Sequence, residues 1–296
     1  MTRLLVLGNA GIDLVCPVPH LPGVGETVVA GGQSRAPGGK GLNQAVVAAR
    51  AGAAVLFTAP VGRDAAAAEL DAALRAEPLA GVTLLPQDAA TDLSLLMVAP
   101  DGENSILTLG AAADALTPAA ALAALAPLQR GDMLLLQGNL SAPATLAAAQ
   151  AARARGASVM LNTAPMRWDM RPLLPLCGVV VANDGEAASI TGLHGQAAAA
   201  ALHAMGACCA VVTLGAGGCA VAGPGGLRHY PARPTRAVDT TGAGDTFCGV
   251  LAAGLLRGEA MGSAVDAAQR AAALAVSRPG AFAALPTAAE LAALPA

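Results

Sequence analysis

The sequence predicts an α/β fold of three layers, α/β/α, with a mostly parallel central sheet and a small additional β-sheet. One observation is that, from about residue 133, short apolar runs alternate with Ala-rich stretches of helical character. A second is that these runs are continuously apolar, as strands buried on both faces of a parallel sheet are. The third concerns residues 14–36 and 92–109, which break the alternation and predict the small sheet.

The strands of the central sheet are predicted from apolar runs, and the Ala-rich segments 143–156 and 196–206 are predicted to be helices between them. Polar residues end several runs, at the sheet edge where open α/β sheets bind ligands. The predicted strands are residues 4–8, 55–62, 133–138, 158–162, 178–183 and 209–215, and the polar residues at their ends are Gln137, Asn139, Asn162, Asn183 and Thr213.

The small sheet is predicted from the two segments that do not alternate. Residues 92–109 hold two strand-like runs around Asp101 and Gly102, which is a hairpin signal. Residues 14–36 are rich in Pro, Gly and Val and are predicted to be extended with turns. Because no linker or charge run divides the chain, we expect one domain over residues 1–296 with both segments inserted in it.

Composition excludes several classes of function. Apolar residues make up 55% of the 296 and charged residues 12%, so a large core is expected and disorder is not. A net charge of −3 and 2% aromatic residues offer neither a basic surface nor stacking platforms for nucleic acid. No apolar run of about 18 residues predicts a membrane span, and the six cysteines lack metal-binding spacing. We therefore expect a cytoplasmic protein without membrane or nucleic-acid partners.

The strongest candidate site lies in the segment VDTTGAGDTFCG, residues 238–249. Apolar spacing predicts a helix after its glycines, and Gly258 is placed to end that helix. The stretch from Gly242 to Gly244 then forms a helix N-terminus, where unpaired N–H groups and the helix dipole favour anions. Asp245 adds a carboxylate there. A capping role explains Asp245 alone, but the neighbouring Asp and Thr residues exceed what a cap needs.

A second glycine-rich loop, residues 36–52, also leads into an amphipathic helix. It carries Lys40, the one lysine among 17 basic residues, but it lacks the first glycine and the Ser or Thr of a phosphate loop. Elsewhere, Asn183 and Glu186 offer oxygen ligands that suit Mg²⁺, although a capped helix start explains them equally well. The glycines from Gly215 suggest a dinucleotide-binding fingerprint, which would indicate an oxidoreductase, but no helix is predicted to follow them.

Four segments occur in the order and spacing found in the ribokinase-like carbohydrate kinases, the phosphofructokinase-B group. They are PGGKGLNQAVVAARAGA, NDGEA, VVTLGAGG and VDTTGAGDTFCG. The chain resembles that family over essentially its whole length, and the glycine–lysine–glycine loop is most similar to that of ribokinases. The resemblance implies an ATP-dependent kinase that transfers the γ-phosphoryl group to a hydroxymethyl group of a small sugar.

The resemblance also implies roles for individual residues. Asp245 is implied as the general base, with Gly242, Ala243 and Gly244 as the anion hole for the transferred phosphoryl group. Each remaining role falls to several residues. The resemblance implies that the sugar contacts Asp13, Gly39, Lys40, Asn43, Asn139 and Asp245, and that the nucleotide contacts Asn183, Thr213, Gly215 and Gly244. It implies that Mg²⁺ is held through water by Asn183 and Glu186. A K⁺ ion is implied to bind at Asp239, Thr241, Val276 and Gly280.

The chain departs from the family pattern at three positions, of which two leave the substrate open. Asn139 stands where ribokinases carry a sugar-contacting glutamate, and Gly11 replaces an early asparagine. Ala284 stands where they supply a serine hydroxyl near the monovalent cation, which weakens the expectation of K⁺ activation. Another ketose, a sugar acid or a nucleoside therefore remains an alternative substrate, and a non-catalytic sugar-binding protein an alternative function. The family's lids also mediate dimers, so we expect a homodimer through the small sheet.

Overall fold

The computed structural model describes residues 2–100 and 103–294, so the predicted turn at Asp101 and Gly102 lies outside the described residues. The strands are β1 (Leu4–Leu7), β2 (Gly11–Pro17), β3 (Ser34–Gly38), β4 (Val55–Val61), β5 (Gly81–Pro86), β6 (Asp92–Val98), β7 (Asn104–Leu109), β8 (Met133–Leu136), β9 (Ser158–Asn162), β10 (Val179–Asn183), β11 (Ala210–Thr213), β12 (Cys219–Gly223) and β13 (Gly226–Tyr230). The helices are α1 (Lys40–Arg50), α2 (Ala65–Leu74), α3 (Ala111–Ala115), α4 (Pro118–Ala124), α5 (Ala142–Ala154), α6 (Asp184–Thr191), α7 (Gly195–Ala204), α8 (Ala243–Leu256), α9 (Met261–Ala275) and α10 (Ala288–Ala293).

The central sheet has nine strands in the order β13-β12-β11-β10-β9-β8-β1-β4-β5. Every neighbouring pair from β5 to β11 is parallel, and β12 and β13 extend the sheet in antiparallel fashion. The strand order reverses between β1 and β8, which lie side by side in the middle of the sheet. In open parallel sheets this topological switch point is where ligands bind, beyond the carboxyl ends of the strands.

Helices cover both faces of this sheet because its central strands are apolar on both. Along β1, Leu4 and Val6 contribute to one buried cluster and Leu5 and Leu7 to the other, as the two-residue period of a strand requires. The first cluster contains residues of α1, α8 and α9, and the second contains residues of α5 and α7. This arrangement forms the three predicted layers.

The small sheet has four strands in the order β3-β2-β6-β7. Strand β2 pairs antiparallel with β3 and parallel with β6, which in turn pairs antiparallel with β7. The two non-alternating segments of the sequence therefore do pair with each other. The first of these segments is longer than the predicted residues 14–36, because β2 begins at Gly11 and β3 ends at Gly38. Asp13 therefore lies on a strand of the small sheet.

Most predicted elements lie within a few residues of their expected positions. Strand β5 was not predicted, since it is an edge strand with half-exposed and exposed residues and lacks a continuous apolar run. After Gly215 the chain makes one 3₁₀ turn and enters β12, so the helix of a dinucleotide-binding fingerprint is absent at this place. Within residues 2–100 and 103–294, no helix has the length and apolar character needed to cross a membrane.

Candidate active site

A cavity of about 430 Å³ opens beyond the ends of β1 and β8, between the central sheet and the small sheet. Its volume falls in the range of small-molecule sites. The walls come from strands of the small sheet, from the N-termini of α1 and α8, and from loops that follow β1, β8 and β9. The lining residues are Asn9, Asp13, Gly39, Lys40, Asn43, Asp92, Ser94, Leu96, Ile106, Thr108, Gly110, Ala113, Asn139, Pro165, Arg167, Thr241, Gly242, Asp245 and Ala281.

The cavity brings together all the residues predicted to contact the sugar. Asp13 comes from β2, Gly39, Lys40 and Asn43 from the start of α1, Asn139 from the loop after β8, and Asp245 from the first turn of α8. These positions are up to 232 residues apart in sequence. Residues from four separate segments of the sequence therefore lie together in one polar site.

Asp245 is a buried carboxylate of the site, with only 5% of its surface exposed. Its Oδ2 atom accepts a hydrogen bond of 3.1 Å from Nδ2 of Asn43. Its Oδ1 atom accepts one of 2.9 Å from Nε2 of Gln44 and lies 3.9 Å from Nζ of Lys40. Both oxygens thus have fixed orientations, and each keeps a lone pair for a further donor.

The backbone at the start of α8 requires glycine. Gly242 is the N-cap residue and has φ of +79°, a left-handed conformation that favours glycine. A Cβ added at Gly242 would lie 3.3 Å from the backbone oxygen of Ala281. The first amides of α8 have no partners within the helix, so the N-terminus that carries Asp245 is suited to hold an anion.

The start of α1 is held against the end of β1 by close backbone contact. A Cβ at Gly41 would lie 2.7 Å from the backbone nitrogen of Asn9, so only glycine fits there. The amide of Gly41 donates to Oδ1 of Asn9 at 3.3 Å. This packing places Lys40 at the cavity, where the carboxylate of Asp245 raises the pKa of its ammonium group. Lys40 therefore stays cationic throughout the physiological pH range.

Two more carboxylates, on neighbouring strands of the small sheet, face the cavity. Burial raises the pKa of Asp13 to about 6, which the hydrogen bond from Ser94 opposes and the nearby charge of Asp245 reinforces. Burial likewise raises the pKa of Asp92 to about 6, against hydrogen bonds from the amides of Ala113 and Ala112. Both groups thus titrate close to neutral pH.

Several lining residues were not identified from the sequence. Asn9 follows the end of β1 by two residues, so the rule that polar residues just beyond strand ends bind ligands could have found it. Asp92 begins a strand and Arg167 lies in a loop, and no spacing in the sequence marks either. Arg167 donates to the backbone oxygen of Asn139 at 2.8 Å and to Asp114 at 2.8 Å. Tertiary packing alone brings these side chains to the cavity.

Three of the four residues predicted to contact the nucleotide lie along the same sheet edge, outside the cavity lining, and the fourth, Gly244, lies in the first turn of α8. Asn183 and Thr213 end β10 and β11 and are register partners across the two strands. Gly215 follows in an exposed turn with φ of +57°. This group continues the polar edge from the cavity toward the antiparallel end of the sheet.

Asn183 and Glu186 form a capping box at the start of α6. Oδ1 of Asn183 accepts from the amide of Glu186 at 2.8 Å, and Oε2 of Glu186 accepts from the hydroxyl of Thr163 at 2.7 Å. The described residues hold no group of three or more His, Cys, Asp or Glu suited to a metal ion. One carboxylate and one amide fit Mg²⁺ that keeps most of its water and binds phosphates, since Mg²⁺ dehydrates reluctantly.

The residues predicted for a monovalent cation are brought together, and two of them, Asp239 and Val276, already accept backbone amides. The carboxylate of Asp239 accepts the amides of Thr241 and Gly280, both at 2.8 Å. These bonds outweigh the effect of burial, so the pKa of Asp239 is lowered. The carbonyl of Val276 accepts two amides, from Val238 and Asp239. Because a carbonyl has two lone pairs, Val276 does not fit a cation ligand in this arrangement.

Comparison with known proteins identifies the family. Residues 1–288 match the model of the pfkB family carbohydrate kinases. The chain belongs to this family. Among its relatives, the ribokinase of Haemophilus influenzae is 34% identical over 292 residues, which cover 96% of this chain and 95% of the relative. The ribokinase of Bacillus subtilis is 31% identical, with 97% of each chain covered.

Solved structures give the same result for the fold. The crystal structure of ribokinase from Thermotoga maritima has a TM-score of 0.87 and 27% identity, and the match covers 99% of both chains. The structure of Arabidopsis thaliana ribokinase complexed with ribose and ATP has a TM-score of 0.83 and 27% identity, covering 99% of this chain and 98% of that one. The predicted ribokinase-like fold is confirmed. The predicted activity, an ATP-dependent sugar kinase with an alcohol group as acceptor, is confirmed at the level of the family.

Proposed function

We propose that this pfkB family member transfers the γ-phosphoryl group of ATP to a hydroxymethyl group of a small sugar, with Asp245 as general base. One observation carries this proposal: a buried carboxylate stands at a helix N-terminus inside a cavity lined by polar side chains. The carboxylate can take a proton from a hydroxyl group, and the helix amides can stabilise the charge that develops on the transferred group.

The cavity suits a polyhydroxylated substrate because it is rich in hydrogen-bond acceptors. Oδ1 of Asn43 and Oδ1 of Asn139 are buried and have no hydrogen-bond partner within the protein. Buried polar groups without partners are costly, so a ligand that donates to them is favoured. Asp13 adds a carboxylate. Sugar hydroxyl groups supply donors of this kind.

The phosphoryl group meets positive charge from two elements. The amides at the start of α8, at Gly242, Ala243 and Gly244, are the proposed donors, and that of Ala243 donates to the carbonyl of Thr240 at 3.3 Å before the phosphoryl group binds. Lys40 supplies a cation 3.9 Å from Asp245. Phosphoryl transfer depends mainly on positioning and on stabilisation of the charge on the transferred oxygens. The helix amides, Lys40 and one general base are therefore the protein groups that this reaction needs.

We infer that ATP lies along the edge marked by Asn183, Thr213 and Gly215, so that its γ-phosphoryl group reaches the start of α8. Asn183 and Glu186 would hold Mg²⁺ through water. Bound Mg²⁺ neutralises charge on the phosphate oxygens. K⁺ has no step in this proposal, because the carbonyl of Val276 already accepts two backbone amides.

The small sheet acts as the lid of the sugar site in this proposal. Strands β2, β6 and β7 contribute Asp13, Ser94 and Thr108 to the cavity wall, so movement of this sheet changes access to the sugar. Closure over the sugar excludes water, which would otherwise compete as phosphoryl acceptor. The lid and the central sheet then act within one kinase domain.

The substrate within the sugar class depends on the two departures at Asn139 and Gly11. Asn139 lines the cavity, and its amide oxygen is buried without a partner, where a carboxylate would accept more strongly from a hydroxyl group. Gly11 presents no side chain. Discrimination between sugars rests on such partners. Ribose is the first candidate because a related kinase is seen with ribose and ATP.

The test is ADP release by the purified protein with Mg²⁺ and ATP across pentoses, hexoses, sugar acids and nucleosides. We expect release with one class of compound and a stoichiometric sugar phosphate ester in ³¹P NMR. Sugar and ATP titrations by calorimetry accompany the assay. Saturable binding of a sugar without ADP release under any condition would contradict the proposal and favour the non-catalytic sugar-binding alternative.

A further inference from the structure

We propose that Gln44 is a positioning residue for phosphoryl transfer, holding the carboxylate of Asp245 in the orientation in which it accepts the substrate proton. This inference rests on the proposed role of Asp245. Gln44 is fully buried on α1 and does not line the cavity, so it acts through Asp245 and not on the substrate.

The hydrogen bonds of Gln44 fix the orientation of its amide group. Nε2 donates to Oδ1 of Asp245 at 2.9 Å and to Oδ1 of Asn162 at 3.2 Å. Oε1 accepts from Nε2 of Gln137 at 2.9 Å. The opposite orientation would place Oε1 against the carboxylate of Asp245 and face two donors toward each other. Gln44 therefore has one arrangement that satisfies its neighbours.

The partners of Gln44 are themselves anchored to the central sheet. Asn162 ends β9, and its Nδ2 donates to the backbone oxygen of Val181 on β10 at 3.3 Å. Gln137 follows β8 and packs against Gly8, where any Cβ would lie only 2.1 Å from its Oε1. The position of the Asp245 carboxylate is thus set by the ends of three neighbouring strands, through one amide.

One polar atom of this network is left without a partner. Oε1 of Gln137 is buried and accepts no hydrogen bond. Leaving a buried acceptor unpaired costs free energy. The orientation of the Gln137 amide group carries this cost at Oε1. Its Nε2 is thereby free to donate to Gln44. The arrangement holds the carboxylate of Asp245 in place and leaves one buried oxygen of Gln137 without a hydrogen bond. Such a local cost is expected where a hydrogen-bond network serves the reaction.

The experiment compares Gln44→Glu and Gln44→Met with the wild-type enzyme. Both replacements remove the N–H donors; Gln44→Met keeps the length of the side chain, and Gln44→Glu keeps its shape but faces a second carboxyl group toward Asp245. We expect kcat to fall roughly 10- to 100-fold, the range for loss of a hydrogen bond to a charged group, while the KM values for sugar and ATP change less than about threefold. Gln269→Glu on α9 makes the same chemical change at a partly buried glutamine outside the site and serves as the control, with kcat unchanged.

Gln137→Met gives an independent test if the Gln44 variants do not fold. It removes the donor to Gln44 but leaves Asp245 untouched, so we expect a smaller fall in kcat with unchanged KM. Values of kcat within twofold of wild type in the folded variants would overturn the proposal. So would a rise in sugar KM that accounts for the whole loss of kcat/KM, because Gln44 would then only support the pocket. If Asp245→Asn itself kept full activity, the proposed general base would fail first, which separates the two claims.

Discussion

At the scale of single residues, the site combines carboxylates with different tasks. Asp245 is buried, accepts two side-chain amides and lies near a lysine, whereas Asp13 is partly buried and has a pKa raised to about 6. An acceptor of sugar hydroxyl groups must be ionised to accept most strongly. The folded protein therefore keeps Asp13 ionised above about pH 6 at a cost in stability, because burial disfavours its charged form.

Asp13→Asn tests both the contribution of the ionised carboxylate to sugar binding and its cost to the free energy of unfolding. We expect the KM for sugar to rise about tenfold or more at pH 8, since a charged acceptor is lost. In the wild-type enzyme the same KM should rise as pH falls below about 6, where Asp13 becomes protonated.

The stability effect of Asp13→Asn has the opposite sign. The pKa of Asp13 is about 6 in the folded protein and near 3.8 in the unfolded chain, so its ionisation destabilises the fold above pH 6 and not below about pH 4. The variant should gain roughly 1 to 3 kcal/mol in unfolding free energy at pH 8 and little at pH 4, measured by denaturation with urea. The exposed Asp88→Asn is the control. Lower stability at pH 8 would contradict this account.

Which residues form the site was predictable only in part. The glycine loops at Gly39 and Gly242 carry their own signals, because a loop that starts a helix needs positive φ and open N–H groups. The partners of Asp245 carry no such signal. Gln44 looks like an ordinary residue of an amphipathic helix until α1 packs on α8, 201 residues later in the chain. Asp92 and Arg167 were missed for the same reason.

At the scale of elements, the contact between α1 and α8 holds the two halves of the site together. A Cβ at Gly249 would lie 2.8 Å from the backbone oxygen of Gln44 and 2.9 Å from Cβ of Val47. Backbone atoms cannot move aside as a flexible side chain can. Gly249 therefore allows α8, which carries Asp245, to approach α1, which carries Lys40 and Asn43.

Gly249→Ala should destabilise the protein by about 1 to 3 kcal/mol, the cost of overpacking, although alanine is the better helix former. It should also lower kcat, because Asp245 and Lys40 move apart. Thermal unfolding and steady-state kinetics measure the two effects. In Gly185→Ala on α6, the nearest atom to the new Cβ is Oδ1 of Asn183 at 3.5 Å, so this control should keep or gain stability. Equal stability of the two variants would contradict the close-contact account.

The elements themselves were largely predictable, because buried parallel strands are apolar on both faces and differ clearly from the Ala-rich helices. The departures have physical causes. Strand β5 lies at the edge of the central sheet and is half-exposed, so it gives no continuous apolar signal. Strand β2 begins at Gly11, three residues before the predicted segment, because pairing with β3 and β6 extends it.

At the scale of the whole molecule, the small sheet presents an exposed apolar edge. Strand β7 is one of its two outer strands, and Leu107 and Leu109 are 56% and 54% exposed. By the two-residue period, both lie on the face opposite Ile106 and Thr108, which line the cavity. Exposed apolar edge strands pair readily with other chains. We propose that a second copy of this chain covers this face in a homodimer.

Leu107→Asp should separate the dimer by placing a charge at this contact, and sedimentation velocity at micromolar concentration measures the change in mass. Leu122→Asp on α4, exposed to 41%, is the control and should leave the mass unchanged. A wild-type protein that sediments as a monomer, or a Leu107→Asp protein that remains a dimer, would contradict this assignment.

The central claim is that Asp245 is the base of a sugar kinase, and Asp245→Asn tests it most directly. The substitution keeps the size of the side chain and removes its ability to take a proton. With the sugar found in the ADP-release assay, we expect kcat to fall about 10²- to 10⁴-fold, the usual contribution of general base catalysis. ATP binding, measured by calorimetry on the same sample, should be preserved. A folded Asp245→Asn protein that turns over within tenfold of the wild-type rate would contradict the claim.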